Sequence, residues 1–206
     1  MQFDFKTKPY EHQLVALQRS YDKTNYGYFM EMGCGKSKVL IDNLAWLHVN
    51  KGLDTAIIIA PKGVYRNWQI SEIPAHLPEN IEHEVYVWNP NPNKTEAKRL
   101  KAGIEERGKL RILLVNVEGF ATQKVKKFVD LFVRGTPFLL AVDESTTIKN
   151  PKAKRTKALV ALGKSASFRR ILTGSPVTKS PMDLYSQCEF MDKRLLGFDS
   201  YFSFQG

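Results

Sequence analysis

The chain has 206 residues, of which 43% are hydrophobic and 25% charged, with a formal net charge of +10. This balance suits one globular domain, and no apolar run reaches the roughly 18 residues of a membrane span. Two cysteines and four scattered histidines offer neither a disulfide framework nor zinc-ligand spacing, and the N-terminus lacks a signal-peptide stretch. A cytoplasmic protein, monomeric and off the membrane, is therefore expected. The basic excess fits an anionic polymer partner or simply a solvated basic face.

In chain order, a helix is predicted over residues 9–20 and a strand over 26–30. The strand opens into "FMEMGCGKSKV", residues 29–39. The glycines Gly33 and Gly35 let backbone N–H groups turn toward phosphate oxygens, and the following helix (36–50) adds its positive end. Lys36 is placed to reach the β- and γ-phosphates of a nucleotide and Ser37 to bind Mg²⁺. Met30 stands where the phosphate-loop pattern has its first glycine. Cys34 reads as a small filler between two glycines.

Next come a strand over 55–60, a helix over 63–77 and a strand over 84–88. "NPNPNK" (89–94) reads as a loop. A helix over 94–107, a strand over 111–116 and a helix over 119–133 follow. Trp68, at helical spacing from Tyr65 and Glu72, reads as packing rather than as a base-stacking platform.

The strand "FLLAVD" (138–143) ends in Asp143, followed by Glu144. Such a pair can hold Mg²⁺ through the first acid and orient an attacking water through the second. A helix over 152–163 and a strand over 169–174 come next. The latter opens into "LTGSP", whose Thr173 and Ser175 hydroxyls can contact the acidic pair. A helix over 181–192 ends the series. From Lys149 to Arg170 there are eight Lys or Arg and no acid, a block able to offset phosphate charge.

Strand–helix alternation predicts an α/β fold: a mostly parallel sheet with helices on both faces. Ligands of such sheets bind at the carboxyl ends of the strands. Residues 32–37, 61–63, 116–118, 143–146 and 173–176 all follow predicted strands and should gather on one edge.

The ordered set resembles the first RecA-like P-loop lobe of a superfamily 2 helicase, most closely the Swi/Snf-like ATPases of a phage or bacterial type. "KPYEHQLVAL" resembles the Q-motif region, "MEMGCGKSKV" motif I and "IIAPKGVYRNWQISEI" motif Ia. "ILLVNVEGF", "VDESTTIKNPKAKRTKAL" and "ILTGSPVTKSPMDLYSQCEFM" resemble motifs Ib, II and III. The match spans residues 9–191, and the group often lacks the first phosphate-loop glycine.

The resemblance implies an ATP-dependent helicase or duplex DNA translocase using Mg²⁺. It places Gln13 at adenine and Met32, Gly33, Cys34, Gly35, Lys36 and Ser37 around the phosphates. Asp143 joins Ser37 on the metal, and Glu144 acts with Lys36 in catalysis. Thr146, where many relatives have His, joins Thr173 and Ser175 in coupling. Lys62, Arg66, Asn116 and Lys149 become nucleic-acid contacts. Residues 1–206 are then one ATP-binding domain, whose partner lobe, carrying an arginine finger, lies outside this chain. The alternatives are a nucleic-acid-binding module without turnover, an RNA helicase or a restriction-system motor lobe.

Overall fold

The computed structural model describes residues 4–205. Helix α1 (Glu11–Ser20) precedes strand β1 (Asn25–Phe29), helix α2 (Lys36–Lys51) and strand β2 (Thr55–Ala60). Then α3 (Tyr65–Asn67) runs through a π-helical turn (Trp68–Glu72) into α4 (Ile73–His76) and β3 (His83–Val87). α5 (Lys94–Glu105), β4 (Leu110–Asn116), a 3₁₀ turn (Val117–Ala121) and α6 (Gln123–Phe132) follow. β5 (Leu139–Asp143), a second 3₁₀ turn (Ser145–Ile148), α7 (Lys154–Gly163) and β6 (Phe168–Thr173) lead to α8 (Asp183–Met191) and α9 (Tyr201–Gln205).

The six strands form one sheet in the order β1-β6-β5-β2-β4-β3, and every pairing is parallel. The expected fold class holds, and the sheet is wholly rather than mostly parallel. The central strands β2, β4 and β5 are nearly continuous apolar runs because both faces are covered, whereas the edge strands β1 and β3 are only partly buried. Alternate residues serve opposite layers: Ala56, Ile58 and Ala60 pack with α1 and α2, whereas Ile57 and Ile59 pack with α6 and α7. Among the described residues, no helix is long and apolar enough to cross a membrane.

Two predicted helices are broken in the structure. The 63–77 segment widens into a π turn, where the Ile73 N–H donates to Trp68 O five residues back. Pro74 follows at once; it has no N–H, and in a regular α-helix its ring would press on the carbonyl four residues earlier. The 119–133 segment begins as a 3₁₀ turn, and the extended Thr122 (φ −104°, ψ 151°) separates it from α6. α9 was not predicted; it packs aromatic residues onto α8, with Tyr185 and Tyr201 ring centroids 5.2 Å apart.

Because all strands run the same way, the segments after β1, β6, β5, β2 and β4 lie along one edge of the sheet.

Candidate nucleotide site

The loop between β1 and α2 rests on two left-handed glycines, Gly33 (φ 79°) and Gly35 (φ 74°). A Cβ on Gly35 would lie 2.2 Å from Gln13 Nε2. Gln13 is only 4% exposed and braces the loop from α1. Its Nε2 donates to Cys34 O at 3.1 Å, and its Oε1 accepts the Tyr10 N–H at 3.0 Å. One amide hydrogen and one lone pair remain for a further partner. His12 Nε2 lies 3.0 Å from the same Cys34 carbonyl, and its ring stacks on Tyr10 at 5.9 Å.

Met30 needs no glycine's freedom: among the described residues, Glu144 is the one non-glycine with positive φ. Met30 takes part through its carbonyl. Lys36 Nζ donates to Met30 O at 2.9 Å and to Glu31 O at 3.1 Å, so the ammonium folds back over the loop. The Met32 side chain is 88% exposed, Cys34 half-buried, and Ser37 half-buried at the start of α2.

Across the edge, β5 delivers Asp143 and Glu144. Asp143 Oδ1 accepts the Glu144 N–H at 2.9 Å, and Oδ2 accepts the Trp68 indole N–H at 3.0 Å. Burial pushes the Asp143 carboxyl above its ordinary value, while the indole and backbone donors, and the Lys36 charge, pull it back. Glu144 sits in the left-handed region (φ 50°, ψ 63°), a conformation that costs a non-glycine residue about 1–3 kcal/mol. Its Oε1 accepts hydroxyls from Thr146 and Thr173, each at 3.0 Å. Thr173 Oγ1 also receives the Ser175 N–H at 3.2 Å. The buried Ser145 donates to Gln187 Oε1 at 2.6 Å, and Gln187 donates to Pro176 O at 2.8 Å. The loops after β5 and β6 are thus tied together through α8.

The site contains oxygen donors of the hard kind that Mg²⁺ selects, the Ser37 hydroxyl and the Asp143 carboxylate. The loop after β1 and the acids after β5 flank β6 on one sheet edge, and Gly174 after β6 approaches the loop: a Cβ there would lie 3.5 Å from Met30 O and Met32 N. Together they can bind a phosphate chain and its metal beside a carboxylate, Glu144, that has an oxygen to spare.

The four residues expected to touch nucleic acid lie at or after the ends of three neighbouring strands, β2, β4 and β5, and Asn116 pairs with Ala60 at the end of β2. Lys62 is exposed. Arg66 is also exposed, with its Nε donating to Tyr65 OH at 3.4 Å. Asn116 Oδ1 caps the turn after β4 by accepting the Gly119 N–H at 2.7 Å. Lys149 turns inward, bonding Thr178 and pairing with Asp183 at 3.5 Å. The Thr178 hydroxyl and two backbone N–H groups hold the Asp183 carboxyl well below the usual range. The basic block from Lys149 to Arg170 is only partly exposed. Arg170 is fully buried and bonds Asn43 Oδ1 at 2.9 Å and Ser20 O at 3.0 Å, leaving Lys152, Lys154, Lys157 and Lys164 exposed.

Sequence reasoning missed His12, Gln187 and the polar role of Trp68. A buried indole N–H demands an acceptor, but which one follows only from β2 lying beside β5, where Ile59 pairs with Val142.

Residues 10–205 match the family model described as the SNF2-related domain. The chain is 30% identical over 169 residues to the "Probable ATP-dependent DNA helicase CHR12" of Arabidopsis thaliana, covering 78% of this chain and 14% of that protein. It is 25% identical over 212 residues to the "Probable chromatin-remodeling complex ATPase chain" of Oryza sativa subsp. japonica, covering 98% and 18%. It therefore spans less than a fifth of these relatives. Among solved structures, the "Sulfolobus solfataricus SWI2/SNF2 ATPase core in complex with dsDNA" superposes with a TM-score of 0.76 at 20% identity, over 100% of this chain and 40% of that one. That likeness shows the fold.

Proposed function

The chain belongs to the SNF2-related domain family, and from that premise we propose that it is the ATP-binding lobe of a DNA-dependent ATPase motor. The observation that carries the reading is the meeting, on one sheet edge, of a loop with two left-handed glycines and a carboxylate pair, of which Glu144 is held by two hydroxyls.

In this reading Gln13 uses its remaining amide hydrogen and lone pair on adenine. The backbone of Met32 to Gly35 faces the phosphates. Lys36 exchanges the Met30 and Glu31 carbonyls for phosphate oxygens. Ser37 and Asp143 hold Mg²⁺, which, when bound, offsets the phosphate charge. Glu144 positions a water in line with the γ-phosphorus and accepts its proton as the bond to the β–γ bridging oxygen breaks, giving ADP and phosphate. Thr146, Thr173 and Ser175 keep that carboxylate aimed and tie it to the loop after β6.

The polymer is duplex DNA, approached from the segment after β2 through Lys62 and Arg66. Such contacts position a backbone without reading its sequence. Lys149 is less available, because its ammonium already meets Thr178 and Asp183, whereas Asn116 has only its Oδ1 engaged and keeps its amide N–H groups for a phosphate. A second lobe of the full-length protein supplies an arginine finger, a group worth about 10³–10⁵ in rate in well-studied phosphoryl transfer. This lobe alone binds ATP and turns it over slowly.

Two variants test the assignment. Lys36→Ala abolishes ATP binding. Glu144→Gln binds Mg·ATP as the wild type does but loses turnover, measured as phosphate release in single-turnover conditions. Undiminished phosphate release by Glu144→Gln would remove Glu144 from the chemistry.

A further inference from the structure

Trp68 is 1% exposed, and its indole N–H reaches Asp143 Oδ2 at 3.0 Å across 75 residues of sequence. From this geometry we infer that Trp68 is a positioning residue for the aspartate that holds the metal. It sets which carboxylate lone pairs face the Mg²⁺ of a bound nucleoside triphosphate. The inference rests on the nucleotide reading above and deepens it.

A carboxylate rotates about its last bond and presents two equivalent oxygens. Here each oxygen carries one fixed donor, the Glu144 N–H on Oδ1 and the indole on Oδ2. The plane is therefore locked, and each oxygen keeps a lone pair for the metal's coordination sphere. An indole suits this place because it donates only. It cannot compete as a ligand or take up a proton.

The local structure is built to hold that donor. Strand β2 lies beside β5, so the chain leaving Ala60 starts one strand away from Asp143. Trp68 opens the π turn, and π turns of this kind are frequent at functional sites. Its ring belongs to the same buried cluster as Tyr65, Ile73 and Leu77, which prevents it from swinging away. Packing alone would be served by a phenylalanine. The polar end of the side chain is what meets the acid.

The test uses Trp68→Phe, which keeps a ring in the core and removes the donor. A fluorescent ADP analogue is titrated into wild type and variant in EDTA and again over a series of Mg²⁺ concentrations. Affinity in EDTA is expected to stay within about twofold. The Mg²⁺ concentration for half-maximal enhancement rises about tenfold, the low end of the range for loss of an outer-shell partner. Equal Mg²⁺ dependence in both proteins overturns the inference, as does an equal loss of affinity with and without Mg²⁺, which marks a purely structural role. If the wild type itself shows no Mg²⁺ enhancement, the nucleotide reading fails, and the inference falls with it.

A second readout needs neither metal nor nucleotide, and it decides alone should Trp68→Phe not fold. The chain has three tryptophans, Trp46, Trp68 and Trp88. In Asp143→Ala one indole N–H resonance moves upfield while the other two stay. Three unchanged resonances overturn the inference.

Discussion

Gly33 and Gly35 look alike in sequence but differ in what surrounds them. Both have φ near +75° (79° and 74°), so alanine at either costs about 1–2 kcal/mol in backbone strain. At Gly33 an added Cβ meets nothing within 4 Å, whereas at Gly35 it strikes Gln13 Nε2 at 2.2 Å. Gly35→Ala therefore displaces the brace from α1 as well as straining the loop. It is expected to lower both melting temperature and nucleotide affinity more than Gly33→Ala does; equal effects would show that Gln13 yields freely. The two glycines, Lys36, Ser37 and the acidic pair were legible because phosphate and metal chemistry dictate residue types at short spacing. Trp68 was legible only as an apolar ring, since its polar partner lies 75 residues away. His12 was hidden for the same reason: its contact is a backbone carbonyl 22 residues on.

At the scale of elements, the strands were readable to within a residue: burial on both faces leaves continuous apolar runs in β2, β4 and β5, and β-favouring aromatic and branched residues mark β1, β3 and β6. The segment after β2 was read as one helix; Pro74 and the π turn before it are local backbone effects that periodicity does not report. Within α2, one turn past the phosphate loop, Lys38 and Asp42 form a buried pair at 2.7 Å. Burial raises the Asp42 carboxyl to about 6 despite the Lys38 hydrogen bond, and Asp42 Oδ1 has no partner. An acid whose folded value lies above its unfolded value binds more protons when native. Its contribution to stability is then fully present below about pH 4 and is lost as pH rises to about 6. Asp42→Asn cannot titrate. It should match the wild type in urea denaturation at pH 4 and exceed it at pH 7, by about 3 kcal/mol at most. A variant that is less stable at pH 7 than at pH 4, relative to wild type, would mean that the ion pair outweighs its burial.

For the whole molecule, the formal charge of +10 overstates the basic surface. Arg111 and Arg170 are fully buried and spend their guanidinium hydrogens on carbonyls and side-chain oxygens, such as Gly103 O at 2.8 Å and Lys23 O at 2.8 Å. Lys149 is bound to Asp183. Composition counts these cations as available, whereas the fold uses them to satisfy its own interior, so which cations are free to meet a polymer was not legible from charge alone. The candidate nucleotide edge stands out most clearly in the sequence, and the account depends on it. Its central claim is that this lobe binds Mg·ATP through the loop at Lys36. Calorimetric titration of Mg·ATP into the wild-type chain and into Lys36→Ala tests this most directly. The account predicts saturable 1:1 binding that needs Mg²⁺ and disappears in Lys36→Ala with the fold intact by circular dichroism. No heat of binding in the wild type, or equal binding in both proteins, would contradict it.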